Sequence, residues 1–309
     1  MKIYISKINE SWIIDRLKRE WIQYNKAFYT SNRSFSDIVW LIAPWAVSES
    51  FIKKISRKKI VSSIYHIDEN PESSQIGLIK KNDKYIHAYH TISIKTKHEL
   101  SKLTKKPIYY IPFWVNQNIW YQIDNKDSLR AKYNFHENDF LIGSFQRDTE
   151  SSDMKSPKLI KGPDIFVKLL ETITKTKPNL KVVLAGNKRN YVISELERLK
   201  IPYKYFEMMS FEELNELYNI LDLYLVTSRL EGGPQAIVEC GLIKTPIIST
   251  DVGIADQILS SKSIFDFNDL NSFKTSTPDV NYAFENALKL TIPSGMDDYI
   301  NMFKEVYEN

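Results

Sequence analysis

The sequence predicts a two-domain α/β protein built on parallel sheets, and three observations carry that prediction. Short β-branched or aromatic runs alternate with amphipathic stretches, the pattern of parallel strands covered by helices. The chain has 309 residues, beyond the size at which one hydrophobic core keeps growing. The two halves also differ in composition. All six Trp (Trp12, Trp21, Trp40, Trp45, Trp114, Trp120) lie in the first 120 positions, whereas seven of nine Gly fall between Gly143 and Gly253.

The elements follow in order. Lys2–Ile5 reads as a first strand, and Trp12, Ile13, Ile14, Leu17, Trp21 and Tyr24 form an apolar helical stripe beside Arg16, Lys18 and Arg19. Asp37–Ile42 is a second strand. It opens the longest uncharged apolar run, Ile38 to Val47, about half the length a membrane span needs. A second basic amphipathic stretch, Phe51, Ile52 and Ile55 beside Lys53, Lys54, Arg57, Lys58 and Lys59, leads into a strand over Lys59–Tyr65. Strands are expected at Tyr85–Tyr89 and Ile108–Pro112. Pro112 and the polar run Gln117–Asp127 suit a domain crossing, and Ser128–Tyr133 a short helix after it. Beyond it, strands are expected at Phe140–Phe145, Leu180–Ala185, Tyr203–Phe206, Leu221–Val226 and Pro246–Ser249. The helical stripes Phe166, Leu169, Leu170, Ile173 and Leu214, Leu217, Tyr218, Leu221 lie among them. The last segment, Gly295 to Asn309, is a helix through Tyr299, Met302, Phe303 and Val306. The expected domains are 1–115, 116–294 and a C-terminal helix 295–309.

Composition excludes several classes. With 43% hydrophobic and 26% charged residues the chain is globular, not disordered or collagen-like. One Cys, Cys240, excludes a disulfide framework or a Cys-rich metal site. Met1–Lys7 lacks the apolar core of a signal peptide, so a cytoplasmic protein is expected. Residues 1–60 hold twelve Lys/Arg against five Asp/Glu, a net of +7, while the remainder is net −3. Basic amphipathic helices can cover a sheet or lie on anionic lipid. The first reading is favoured, and a peripheral contact with the inner face of a membrane stays open. No nucleic-acid module is visible, and none is expected to bind.

The chemistry concentrates in Leu221–Ile258. A buried-strand run turns polar at Thr227-Ser228-Arg229 and reaches Glu231-Gly232-Gly233-Pro234, where two glycines permit close backbone approach to a ligand. Pro234 suits the first position of a helix over Gln235–Gly241, whose free N–H groups would face phosphate at the ligand edge of a doubly wound sheet. Glu231 and Glu239, eight apart, are placed to chelate the hydroxyl pairs of sugar and ribose. Asp251-Val252-Gly253 ends the next strand.

Glu231-x7-Glu239 with its Gly-Gly-Pro insert resembles the donor-site motif of retaining glycosyltransferase family 4, the group 1 glycosyltransferases of GT-B fold. Gly143-Ser144-Phe145-Gln146-Arg147, Lys161-Gly162-Pro163-Asp164 and the interdomain run Ile111–Asn116 resemble further segments of that family. The resemblance spans roughly Ile108 to Leu259. It implies two Rossmann-like domains facing across a cleft, here with a shortened N-terminal domain. It also implies transfer of a sugar, with retention, from a nucleotide-sugar donor to a hydroxyl of a glycan or lipid-linked acceptor, without metal or other cofactor. By that resemblance Glu231 contacts the donor sugar and Glu239 the ribose. Gly232, Gly233, Gln235 and Ala236 line the sugar and phosphates, and Arg147 and Lys161 neutralise the leaving diphosphate. The base lies near Met208, and His66, after the third strand, is a cleft-facing candidate beside the reacting sugar.

There are departures. Thirteen residues separate Arg147 from Lys161, so Lys155 and Lys158 compete for the phosphate role, and no Gly precedes Gly77, where family members carry a Gly-rich loop. A non-catalytic nucleotide-sugar or glycan-binding module and a sugar-nucleotide epimerase or hydrolase therefore stand as alternatives. His87 and His90 lack the acidic or Cys partners of a metal site, Cys240 is expected to pack, and Asp256 to face solvent.

Overall fold

The computed structural model describes residues 1–6, 13–68 and 74–309. They divide into two compact units, one of Met1–Trp114 with Ile292–Asn309 and one of Val115–Thr291. Trp12, part of the first predicted stripe, lies outside the described residues.

The first unit is a parallel sheet in the order β1 (Ile3–Ile5), β2 (Ile38–Leu41), β3 (Lys59–Ile64), β4 (Ala88–Thr91) and β5 (Ile108–Tyr110). Between them run α1 (Ile13–Tyr24), α2 (Glu49–Lys54), α3 (Ser74–Asn82) and α4 (Ile94–Ser101). Tyr29 adds a one-residue parallel bridge to Ile3, with the Ile3 N–H donating to Phe28 O and the Thr30 N–H to Ile3 O. The edge of β1 facing β2 is bonded through Lys2 O and the Ser6 N–H, so β1 has neighbours on both sides. The chain leaves β1 through α1 toward Tyr29, then returns past β1 to β2. Right-handed crossovers in opposite directions place their helices on opposite faces. Leu17 and Trp21 of α1 accordingly join one core, and Ile52 of α2, Ile79 of α3 and Leu100 of α4 join the other.

Trp21 of the first stripe is buried inside this unit. Trp21, Trp40 and Phe303 pack edge to face, with centroids 5.4, 5.6 and 5.3 Å apart pairwise. Trp114 Nε1 donates to Glu20 Oε2 at 2.7 Å. Phe303 and Tyr299 come from the C-terminal helix, whose partner the sequence leaves unnamed: it packs on the β1–β2 face with α1. Of the tryptophans described in this unit, only Trp45 is exposed, at 50%. Leu17 and Trp21 in α1, and Ile52 and Ile55 of the second stretch, are likewise core residues. The covering role of both basic helices is thus the one adopted.

His90 is fully buried and serves this core. Trp40 Nε1 donates to Ser63 Oγ at 2.9 Å, Ser63 lies 2.8 Å from His90 Nδ1, and His90 Nε2 lies 2.8 Å from Ile111 O. Burial lowers its pKa to about 4, so the ring is neutral. The fourth strand starts later than its sequence pattern suggests. Asp83–Tyr85 forms a 3-10 turn, and pairing with β3 begins at Ala88.

The second unit opens with α5 (Lys126–Lys132) and continues β6 (Phe140–Ser144), α6 (Pro163–Ile173), β7 (Leu180–Ala185), α7 (Asn190–Leu199), β8 (Tyr203–Phe206), α8 (Phe211–Ile220) and β9 (Leu223–Val226). Then come α9 (Gln235–Ile243), β10 (Ile247–Thr250), α10 (Ala255–Ile258), β11 (Ile264–Phe265) and α11 (Val280–Leu288). The C-terminal helix of the first unit is α12 (Asp297–Glu308). The sheet order is β11-β10-β9-β6-β7-β8, all parallel. The chain moves outward from β6 to β8, then crosses back to β9 and moves outward the other way. The reversal between β6 and β9 is a topological switch point, where loops diverge and open a crevice at the carboxyl ends of the strands. The short strand β11, on the sheet edge, is absent from the sequence expectation.

Candidate functional site

The two loops that flank this switch point carry the residues singled out in the sequence. After β6 the chain runs through Phe145, Gln146 and Arg147; after β9 it runs through Thr227, Ser228, Arg229 and Glu231. A third segment, ending at Lys161-Gly162, joins them, because Gly162 sits against β9's end. Its Cβ, were there one, would lie 1.7 Å from Thr227 O, and its φ of +62° also demands glycine. Thr227 Oγ1 donates to Gly162 O at 2.8 Å. Arg229 makes a two-pronged ion pair with Asp164, both bonds 2.7 Å, and also donates to Leu159 O. The Lys161 segment is thereby fixed from both sides.

Lys161 Nζ forms an ion pair with Glu231 Oε1, and both side chains are largely shielded, at 26% and 15% exposure. Ser228 Oγ lies 3.2 Å from Glu231 Oε1 and 3.2 Å from Gln146 Oε1, with one proton to give to either. Gln146 Nε2 donates to Lys161 O at 2.9 Å. Gln146 therefore joins all three segments, and its chain neighbour Arg147 is exposed with no ion pair among the described residues. Asp148, next along, is held by Arg189 Nε at 2.6 Å in a fully buried pair, and Arg189 also donates to Ser144 O. That pair anchors the loop from beneath and leaves Arg147 as its outward cation.

Of the three competing lysines, Lys161 is the one at Glu231. Lys158 Nζ faces Glu150 at 3.6 Å, and Lys155 is exposed on a separate turn capped by Asp153.

Glu239 is buried in α9 and accepts a 3.0 Å hydrogen bond at Oε2 from Tyr218 OH. Tyr218 packs against Phe145 with ring centroids 4.8 Å apart and meets Trp120 edge to face at 5.6 Å. Burial first, and the Glu239 charge second, push its pKa well above the usual range, so the hydroxyl stays a donor. Pro234 is the N-cap residue of α9, one position earlier than expected, since Ile237 N–H already donates to its carbonyl. Gly232, Gly233, Gln235 and Ala236 form the turn and the first residues of that helix, which extends to Ile243. Gly253, at φ +54°, backs this turn: a Cβ there would meet Gly232 O at 2.4 Å.

Met208 is 61% exposed in the turn after β8. His66 belongs to the first unit, on the loop after β3, where its carbonyl accepts from Gln75 Nε2 at 2.7 Å. Cys240 is fully buried and its thiol pKa is raised by that burial, and Asp256 is exposed, both as expected. Among the described residues no three His, Cys, Asp or Glu converge as metal ligands, and His90 is committed to Ser63 and Ile111. Sequence reasoning missed Gln146, Ser228 and Tyr218. Tyr218 carried a signal, a hydroxyl on an otherwise apolar helical stripe.

Residues 155–275 match the family described as glycosyl transferases, group 1. No curated protein sequence matches the chain. Among solved structures the chain is similar to Anabaena HepE in complex with UDP and glucose, at TM-score 0.74 and 12% identity over 98% of this chain and 99% of that one. It is similar to sucrose-phosphate synthase from Thermosynechococcus elongatus, at 0.73 and 12%, over 98% and 81%. A glycosyltransferase from Rickettsia africae matches at 0.68 and 18%, over 98% and 84%. The chain has the GT-B fold, and the segment that matches the group 1 glycosyl transferases lies within its second unit.

Proposed function

We propose that the protein is a retaining glycosyltransferase that binds a nucleotide sugar in its second unit and passes the sugar to a hydroxyl acceptor. The observation that carries this reading is the ion pair of Lys161 and Glu231 beside the outward Arg147, at the switch point between β6 and β9. Two cations there suit a diphosphate, and a carboxylate suits sugar hydroxyls. The Lys161–Glu231 pair keeps both groups compensated until the donor arrives.

In the reaction the bond from the anomeric carbon to the diphosphate oxygen breaks, and its electron pair stays on that oxygen. The new bond forms from the acceptor oxygen on the same face, and the acceptor proton goes to the departing phosphate. Arg147 and Lys161 stabilise the charge gathering on the leaving group, a role fixed cations fill without reorganising. Glu231 orients the sugar, Glu239 holds the ribose, and the turn Gly232–Ala236 faces sugar and phosphates. Met208 flanks the base, and His66 acts from the acceptor side. HepE was solved with UDP-glucose, which makes uridine nucleotides the first donors to try. Among the described residues no helix is long and apolar enough to cross a membrane. The basic N-terminal region would meet an anionic membrane through its positive charge, a contact that raising salt weakens.

The test is release of nucleoside diphosphate from UDP-, GDP- and ADP-sugars with a glycan and lipid-glycan acceptor panel, with product configuration read by NMR. Acceptor-dependent release and an axial-to-axial product support the reading. Release without acceptor points to a hydrolase, an isomerised donor to an epimerase, and binding without turnover to a module.

A further inference from the structure

The first unit contains a cavity of about 130 Å³ between α2, α3 and the sheet, on the face opposite α1 and α12. Its wall follows the end of β3, from Ser62 to Ile64, and the two residues after it, Tyr65 and His66. It is a slot at the carboxyl end of that strand. Ile52, Ile64, Ile79 and Ile86 make its interior, and the half-exposed Trp45 and Leu78 mark where it meets solvent. Two polar wall groups are already committed, Ser63 to Trp40 and His90 and Gln75 to His66 O and Asp68 N, while Asn82 Oδ1 on the same wall is buried without a hydrogen-bond partner among the described residues. An apolar cavity near 150 Å³ takes a six-carbon ring, so this one, at about 130 Å³, has room for about five or six carbons.

The rim is charged. Glu49 of α2 lines the slot and holds two ammonium groups, Lys53 at 2.9 Å and Lys81 of α3 at 2.6 Å. One carboxylate against two cations leaves this cluster net positive. We propose that this slot binds a hydrocarbon segment of an anionic amphiphile, the chain entering between Trp45 and Leu78 and the anionic head resting at the Glu49–Lys81 rim. That the amphiphile is the acceptor rests on the transferase reading above; the chain site itself does not.

The test titrates the full-length protein with n-butyl, n-hexyl, n-octyl and n-decyl phosphate, each below its micelle concentration, by calorimetry. Affinity should rise about threefold to fourfold per methylene as carbons enter the slot, then level off near hexyl. Leu78→Glu at the mouth and Ile79→Phe in the interior should each flatten the series while the protein still melts cooperatively. n-Alkyl glucosides of equal length should bind at least threefold more weakly than the phosphates. A wild-type series without length dependence, or unchanged series in both variants, overturns the slot. Glucosides binding as well as phosphates overturn the anionic head. Concentration-dependent dimerisation abolished by Leu78→Glu, without alkyl binding, would show a second copy as the occupant and overturn the proposal. Stabilisation of the protein by nucleotide sugars is scored separately and reports only on the donor site.

Discussion

Gly162 and Thr227 are in backbone contact across two loops, so close that the smallest side chain at position 162 would lie 1.7 Å from the Thr227 carbonyl oxygen. That contact sets the distance between the segment bearing Lys161 and the strand end leading to Glu231. Gly162→Ala should cost more than about 2 kcal/mol, from the positive φ and from the displaced loop. Urea unfolding measures the loss, and nucleotide affinity should fall with it. A variant as stable as wild type would mean the two segments are not in register as described.

Tyr218 supports Glu239 from inside the unit through its 3.0 Å hydrogen bond. Tyr218→Phe keeps the ring packing against Phe145 and removes only the donor. A bond to a charged group is worth about 1.5–3 kcal/mol, so nucleotide affinity should fall about tenfold or more. Discrimination of UDP from 2′-deoxy-UDP should shrink at the same time. Retained discrimination in a weakened binder would assign the ribose contact elsewhere.

His90 predicts a pH dependence of stability. Its folded pKa of about 4 lies below its unfolded value near 6.5, so between these the unfolded chain binds the proton and the native ring does not. Stability from this group is complete above about pH 6.5 and drains as pH falls toward 4, by up to about 3 kcal/mol. His87, also lowered chiefly by burial, acts in the same direction. Urea midpoints at pH 7 and pH 4.5 should differ less in His90→Asn than in wild type. Equal differences in both would place the titration on other groups.

Much of this was legible in the sequence where the physics is local. The sequence pattern of β7 and β8 matches their observed bounds, and the strand–Gly-Gly–helix order around Glu231 marks the carboxyl end of β9. What was not legible is long-range pairing. The burial of Trp21, Trp40 and Trp114 depends on Tyr299 and Phe303, brought back from the far end of the chain. The same is true of Arg189 with Asp148 and of Gln146 with Ser228, whose partners lie 41 and 82 positions away. β4 was misplaced because Tyr85 and Ile86 have strand-like side chains, but a turn claims Asp83–Tyr85. That Lys161, and not Lys155 or Lys158, stands at Glu231 follows from the Gly162 contact, which no spacing rule contains.

The central claim is that Lys161 serves the diphosphate and Glu231 the sugar of one bound donor. Calorimetry with the nucleotide sugar that best stabilises the protein, and with its nucleoside diphosphate alone, separates the two roles. Lys161→Ala should weaken both ligands by tenfold or more, and Glu231→Gln should weaken the nucleotide sugar while leaving the diphosphate within about twofold. If both folded variants bind both ligands as wild type does, the switch-point loops are not the donor site.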